Sequence, residues 1–210
     1  MTDAIVIQVF AREPIPGLCK RRLIPALGAQ GAAELHAAMV RRTVEAATRA
    51  APGQVQLWRS GGDSGNFLKA LAAEFDCDLR AQSGADLGAR MYAALLSAHN
   101  ERQGAVLVGT DCPELSAPRL VEATEALRAG YDAVFRPARD GGYVCVGMRV
   151  PMAELFSEMP WGTADVMAMT RARLARLHLR WLEFAALADI DRPPDLSNLP
   201  PEIGHFAVAR

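Results

Sequence analysis

The sequence predicts a three-layer α/β/α sandwich built on a mainly parallel, mixed central sheet. Three observations predict it. Strand-like and helix-like segments alternate for about 130 residues, the signature of a sheet covered by helices. Several strand-like segments are continuous in apolar residues, as strands buried on both faces are. The chain has 210 residues, 50% of them apolar, and at that length about 70% of the unfolded surface can be buried around one core.

The elements follow in order. Ala4 to Phe10 is nearly all apolar and reads as the first strand. Ala33, Ala37, Val40, Val44 and Ala47 recur at helical spacing and mark one stripe of a helix, which Pro52-Gly53 breaks. Val55-Gln56-Leu57-Trp58 reads as a second strand, and Asp63 or Ser64 can cap a helix running to about Phe75. A short strand near Leu79 precedes a helix striped by Leu87, Met91, Ala94, Leu95 and Ala98. Ala105 to Val108 is a fourth strand, and Leu120, Thr124 and Leu127 stripe a helix that Gly130 ends. Ala133 to Phe135 and Tyr143 to Val146 are strands on either side of Asp140-Gly141-Gly142. A helix is expected from Thr163, as N-cap, to about Leu177, and a last strand from His178 to Phe184. The tail, with Pro193-Pro194 and Pro200-Pro201, should be mostly irregular. With no repeat, low-complexity segment or linker, one domain over residues 1–210 is expected.

Composition excludes several classes. Lys plus Arg total 23 and Asp plus Glu 24, a formal net charge of −1. Proteins that coat nucleic acid by bulk electrostatics are strongly basic, so no nucleic-acid partner is expected. No apolar run approaches the roughly 18 residues of a membrane span. Met1-Thr2-Asp3 leads straight into an apolar strand, so no signal peptide is expected. Cys19, Cys77, Cys112 and Cys145 are scattered, as are His36, His99, His178 and His205. This argues against a disulfide framework or a zinc site and makes the cytoplasm the expected compartment.

Open α/β sheets bind ligands beyond the carboxyl ends of their strands. Arg12 to Leu23 follows the first strand and carries Arg12, Lys20, Arg21 and Arg22 against Glu13 alone. Pro14, Pro16 and Gly17 restrict its turn and let backbone amides approach a ligand. Arginine offers a planar fork to phosphate oxygens and lysine a point charge, although a solvated charged loop reads the same way. No Walker loop and no Gly-x-Gly-x-x-Gly occurs. Gly109-Thr110-Asp111-Cys112-Pro113 follows the fourth strand, and Asp189-Ile190-Asp191-Arg192-Pro193 the last. Asp111 is either a turn cap or a ligand, and Asp189 and Asp191 are either turn residues or ligands. Two carboxylates about 4 Å apart repel by roughly 4 kcal/mol at an effective dielectric of 20. If Asp111 and Asp191 converge, a cation must compensate, and Mg²⁺ or Mn²⁺ suits such oxygen ligands. Asp140-Gly141-Gly142 is a hairpin signal; in the alternative reading its glycines let a bulky substrate lie against the backbone. Trp161 reads as core or pocket wall, and Arg171, Arg173, Arg176 and Arg180 as a solvated face.

Taken together, these segments resemble a family. Phe10 to Gly17 with Lys20-Arg21-Arg22-Leu23 resembles the opening signature of a bacterial group of glycosyltransferase-like proteins. That group has the GT-A, or nucleotide-diphospho-sugar transferase, fold, and some members are associated with arsenosugar biosynthesis. Gln82 to Gly84, Asp86-Leu87-Gly88 and Arg90-Met91 resemble its second motif. Gly109 to Pro113, Asp140 to Tyr143, Trp161 to Thr163 and Asp189 to Leu196 resemble the rest, in order over nearly the whole chain. The chain departs from the pattern at Arg21 and Gly162, where Thr and Ser are common, and at Arg192 and Pro194, where the C-terminal segment has Thr and Glu.

The resemblance implies a metal-dependent transferase using a nucleotide-activated donor, with a nucleotide sugar and a small-molecule acceptor as partners. It implies Asp111 as a ligand of Mg²⁺ or Mn²⁺ and Asp191 as the second, with Arg192 offering a charge that could neutralise Asp191 instead. Lys20 and Arg22 would stabilise the leaving phosphates, and Asp140 is the candidate base. Arg12, Gly17, Gln82, Asp86, Gly109, Gly141 and Gly142 are expected to contact the donor. Two rival readings are a nucleotidyltransferase releasing pyrophosphate from a nucleoside triphosphate, and a nucleotide-binding regulatory protein without turnover. A homodimer is the assembly considered.

Overall fold

The computed structural model describes residues 4–61, 65–101 and 104–206. Seven strands form one sheet: β1 (Ile5–Arg12), β2 (Val55–Ser60), β3 (Asp78–Ala81), β4 (Gly104–Val108), β5 (Ala133–Pro137), β6 (Tyr143–Met148) and β7 (Trp181–Glu183). The spatial order is β3-β2-β1-β4-β6-β5-β7. β6 runs antiparallel to both β4 and β5, and every other neighbouring pair is parallel. The mixed, mainly parallel sheet expected from the apolar runs is present.

Helices α1 (Ile24–Ala50), α2 (Phe67–Glu74), α3 (Leu87–Asn100), α4 (Ala117–Arg128) and α5 (Val166–Arg176) cover it. Strand β1 shows why continuous apolar runs are needed. Ile5, Ile7 and Val9 join the core beneath α1, α2 and α4, while Val6 and Phe10 join the one shared with α3 and α5. A buried Leu, Ile or Phe side chain contributes about 1.5–3 kcal/mol, so neither face tolerates a polar swap. Gln8 is the exception in this strand. Its amide donates to Gln56 Oε1 at 3.0 Å and to the Ala94 carbonyl at 2.7 Å, tying β1 to β2 and α3.

Several boundaries differ from the sequence reading, each for a physical reason. The helix read from a stripe starting at Ala33 begins nine residues earlier, at Ile24, with Pro25 in its first turn and a kink at Gly28. Thr163 does not cap α5: its hydroxyl donates to the Pro160 carbonyl in a turn, and Asp165 occupies the N-cap. The expected caps Asp63 and Ser64 lie outside the described residues. The carboxylate of Glu13 instead accepts from Leu68 N at 3.2 Å, at the start of α2. Gly130, at φ +92, ends α4 as expected, with Tyr131 N bonded back to the Ala126 carbonyl. The tail is more ordered than its prolines suggest. Two short 3-10 segments, Pro193–Asn198 and Pro201–Phe206, pack on α1, and Ile190, Leu196 and Ile203 join Leu23, Leu35 and Met39 in a third core. This core fixes Asp189 to Asp191 against the rest of the fold.

Candidate functional site

The parallel strands β1, β2, β3, β4, β5 and β7 all deliver their carboxyl ends to one edge of the sheet. The chain crosses from β1 to β2 on one side and returns to β4 on the other, so the switch point lies between β1 and β4, where such sheets open a crevice. A cavity of about 430 Å³ sits there, lined by Phe10 to Arg12 from β1, Gly109 to Asp111 after β4, and Leu18 to Arg22 of the basic loop. Gln82, Arg90 and Asp191 are also part of its wall.

Lys20 is the keystone of this rim. Its backbone is left-handed, at φ 44 and ψ 41, where a side chain other than glycine's is uncommon. That turn sends the side chain inward. Nζ bonds the Ile190 carbonyl and lies 2.8 Å from Asp111 Oδ1, with the lysine side chain 4% exposed and that of Asp111 56% exposed. Ile190 N donates to the Asp111 carbonyl at 2.8 Å. Three segments distant in sequence are thereby tied together around one buried ammonium group. Arg22 pairs with Asp191. The cation that neutralises Asp191 is thus Arg22 from the basic loop, not its sequence neighbour Arg192, whose backbone N–H donates to Asp195.

The remaining sequence candidates divide. Arg12, Gln82 and Gly109 line the cavity with Lys20, Arg22, Asp111 and Asp191. Arg12 is braced by the Leu18 carbonyl and Gln82 by the Trp58 carbonyl. Gly17 and Asp86 do not line it. Asp86 caps α3, accepting from Ala89 N at 2.8 Å, and Gly17 occupies a turn at φ +82 with open space where a Cβ would be. Gly141 serves packing: a Cβ there would stand 2.2 Å from the Ala164 carbonyl oxygen. The Asp140 carboxylate accepts from Gly142 N at 3.0 Å, the hairpin geometry that the Asp-Gly signal anticipates.

A second cavity, about 410 Å³, opens beside the first and shares Leu87, Gly109 and Asp111 with it. Asp140, Gly142 and Asp189 line it together with Met91, Tyr143, Val144, Trp161 and Val166. Burial raises the Asp189 pKa, and repulsion from Asp140 and then Asp111 pushes it the same way.

His36 is a site residue that sequence reasoning passed over. It lines the first cavity, and its Nε2 lies 3.1 Å from the Arg12 carbonyl. A carbonyl can only accept, so Nε2 carries the hydrogen and the buried Nδ1 is left without a partner among the described residues. Burial lowers the His36 pKa, against the opposing pull of Asp111. The unfolded chain therefore binds a proton more readily than the folded one. The resulting stability is complete above the unfolded value of about 6.5 and is lost as pH falls below it. Urea unfolding at pH 7.5 and pH 5.5 should show a loss in the native chain that His36→Gln reduces.

The residues fit a hard divalent cation on limited terms. Among the described residues no three His, Cys, Asp or Glu side chains gather into a cage. Mg²⁺ is commonly held by one or two carboxylates plus substrate phosphates, and half-exposed Asp111 beside a cationic loop suits that arrangement. Arg22 occupies Oδ2 of Asp191, so a cation there would compete with the guanidinium for that oxygen. Cys112 and Cys145, raised to about 11 and about 12 by burial, are poor metal ligands.

Comparison with known proteins agrees with this architecture. A protein of Desulfovibrio desulfuricans G20, assigned as a candidate nucleotide-diphospho-sugar transferase, superposes with a TM-score of 0.79 at 29% identity, over 92% of this chain and 84% of that one. A cytidylyltransferase from Leptospira borgpetersenii superposes at 0.61 and 13% identity, over 98% and 90% of the two chains. Glucosyl-3-phosphoglycerate synthase from Mycobacterium tuberculosis, in complex with Mn²⁺, uridine diphosphate and glucosyl-3-phosphoglycerate, superposes at 0.54 and 12% identity, over 98% and 76%. The last two likenesses speak for the fold alone. No curated protein matches the chain. Residues 43–163 match the DUF2064 family of uncharacterized proteins conserved in bacteria, so the chain belongs to that family and carries it on a GT-A-like, nucleotide-diphospho-sugar transferase fold.

Proposed function

We propose that this protein is a metal-dependent transferase that uses a nucleotide-activated donor, most simply a nucleoside-diphosphate sugar, and passes its glycosyl group to a small acceptor, all within one domain. The observation that carries the reading is the convergence of Lys20, Arg22, Asp111 and Asp191 on one cavity at the switch point of the sheet. An enzyme of this class must stabilise the charge that grows on a leaving diphosphate, and preorganised cations do so without reorganising.

Lys20 is already fixed by Asp111 and the Ile190 carbonyl, so it holds its position before substrate arrives. Arg22 is exposed and has Asp191 as its partner. An entering diphosphate would draw Arg22 from Asp191 to phosphate oxygens, and Asp111 with the freed Asp191 would be the residues to hold Mg²⁺ or Mn²⁺. The bound cation supplies Lewis-acid stabilisation of the diphosphate. Arg12 gives the incoming phosphates a further fork of donors. The acceptor hydroxyl attacks the anomeric carbon, the bond to the diphosphate oxygen breaks, and the proton passes to a carboxylate. Asp140 is the candidate base, with Asp189 beside it on the same cavity.

The test is a product assay with Mg²⁺. Nucleotide sugars offered with a mixture of small alcohols should release nucleoside diphosphate. Pyrophosphate release from nucleoside triphosphates would replace the proposal with nucleotidyl transfer. Metal-dependent nucleotide binding with no product would replace it with a regulatory role.

A further inference from the structure

We propose that the cavity beside the phosphate-binding rim takes an uncharged acceptor with an apolar ring face, and that it excludes phosphorylated and carboxylated acceptors. The inference rests on the transferase reading above and adds the chemical class of its second substrate. Its support lies in the contrast between the two cavities. Arg12, Lys20, Arg21, Arg22 and Arg90 all line the first, and among the described residues no lysine or arginine lines the second. The charged groups of the second cavity are the carboxylates Asp111, Asp140 and Asp189. Lys20 already offsets Asp111, and Asp140 and Asp189 also border an adjoining hollow lined by Arg22, Arg139 and Arg192, so the acceptor meets carboxylate edges in this cavity while the cations stand on the far side of them.

Apart from Thr163, whose hydroxyl donates to the Pro160 carbonyl, the rest of the lining is mainly apolar and includes two aromatic rings. Met91, Val144 and Val166 are wall residues, and Trp161 stands edge-on to Tyr143, with ring centroids 6.1 Å apart. Tyr143 in turn packs edge-on against Phe135 at 5.3 Å, so the aromatic wall continues into the core and is rigid. Gly88 lets Trp161 close on α3, since a Cβ there would meet its Nε1 at 2.7 Å. Burial alone pushes the Tyr143 phenol above its ordinary range, with no charge or hydrogen bond opposing it. A neutral phenol in an apolar wall donates to or accepts from a hydroxyl and offers no countercharge to an anion. An anionic acceptor would lose its hydration and meet two carboxylates in exchange. A neutral alcohol presents a ring to the aromatic wall and its hydroxyl to the acidic edge, where the proposed base stands.

Saturation-transfer NMR on the full chain tests this with two probes of similar ring, phenyl β-D-glucopyranoside and phenyl phosphate. The glucoside phenyl protons should saturate, and Trp161→Leu should cut that signal at least fivefold. Phenyl phosphate should give a signal only where inorganic pyrophosphate displaces it, which places it on the cationic rim. Asp140→Asn keeps an acceptor for Gly142 N and should raise phenyl phosphate binding that pyrophosphate leaves untouched by at least threefold. No glucoside saturation, saturation indifferent to Trp161→Leu, pyrophosphate-resistant phenyl phosphate binding in the native chain, or no response to Asp140→Asn would each overturn the inference. Pyrophosphate binding measured by thermal shift with Mg²⁺ separates the two claims. If pyrophosphate binds and the glucoside does not, the transferase reading stands and this inference falls. If pyrophosphate does not bind, the transferase reading itself fails.

Discussion

Asp111→Asn should lower turnover by roughly 10²–10³-fold, the scale of losing one preorganised electrostatic group at a reacting centre, while the protein stays folded. Asparagine is the informative substitution because Asp111 has two tasks. One carboxylate oxygen holds the buried Lys20 ammonium, and the half-exposed remainder faces the cavity. Alanine would strip Lys20 of its counter-charge and leave only the Ile190 carbonyl, and uncompensated buried charges are costly. Asparagine keeps an oxygen for Nζ and removes the negative charge that a cation needs. Asparagine also removes the counter-charge of a lysine side chain that is 4% exposed, so the stability cost should be about 1–3 kcal/mol. The check is a product assay with a donor the native protein turns over, alongside urea unfolding of both proteins. Activity within a few fold of native would remove Asp111 from the metal site.

Gly141→Ala should destabilise the fold by about 3 kcal/mol or more, since it combines overpacking with backbone strain. The new methyl group would stand 2.2 Å from a backbone carbonyl oxygen and 2.5 Å from Cα of Ala164, neither of which can rotate away. The residue also sits at φ +95, which side chains rarely adopt. Its carbonyl accepts from Met167 N at 2.8 Å, so relief by shifting the hairpin would pull on the first turn of α5. At about 2–4 °C per kcal/mol for a chain of this size, the melting temperature should drop by roughly 10 °C. Gly142→Ala is the control. Its Cβ would meet only Asp140 Oδ1, at 3.4 Å, so stability should hold within about 1 kcal/mol. Equal melting temperatures for the two variants would contradict the packing assigned to Gly141.

These contrasts show what the sequence makes legible. Runs such as Ile5-Val6-Ile7 announce strands buried on both faces, and parallel strands share the edge where their carboxyl ends meet. The gathering of the Arg12 to Arg22 loop, Asp111 and Asp191 at one rim follows from that reading alone. What stays hidden depends on contacts between distant residues. Glu13 reads as the lone anion of a basic loop, yet it serves the amino end of α2, a residue 55 positions away. Arg192 adjoins Asp191 in sequence, but Arg22 is the partner in space. Gly141 reads as half of a turn signal, and only the approach of Ala164 shows why no other residue fits. His36 carries no motif; helical periodicity places it on α1, and only the fold brings it to the Arg12 carbonyl.

The central claim is that a divalent cation and a diphosphate meet where the basic loop faces Asp111. Crystals soaked with Mn²⁺ and inorganic pyrophosphate test it most directly. An anomalous manganese peak at Asp111, with pyrophosphate contacting Lys20 and Arg22 and the Arg22–Asp191 pair opened, is the predicted result. Manganese and pyrophosphate bound elsewhere on the protein, with the Lys20–Asp111 rim unchanged, would contradict it.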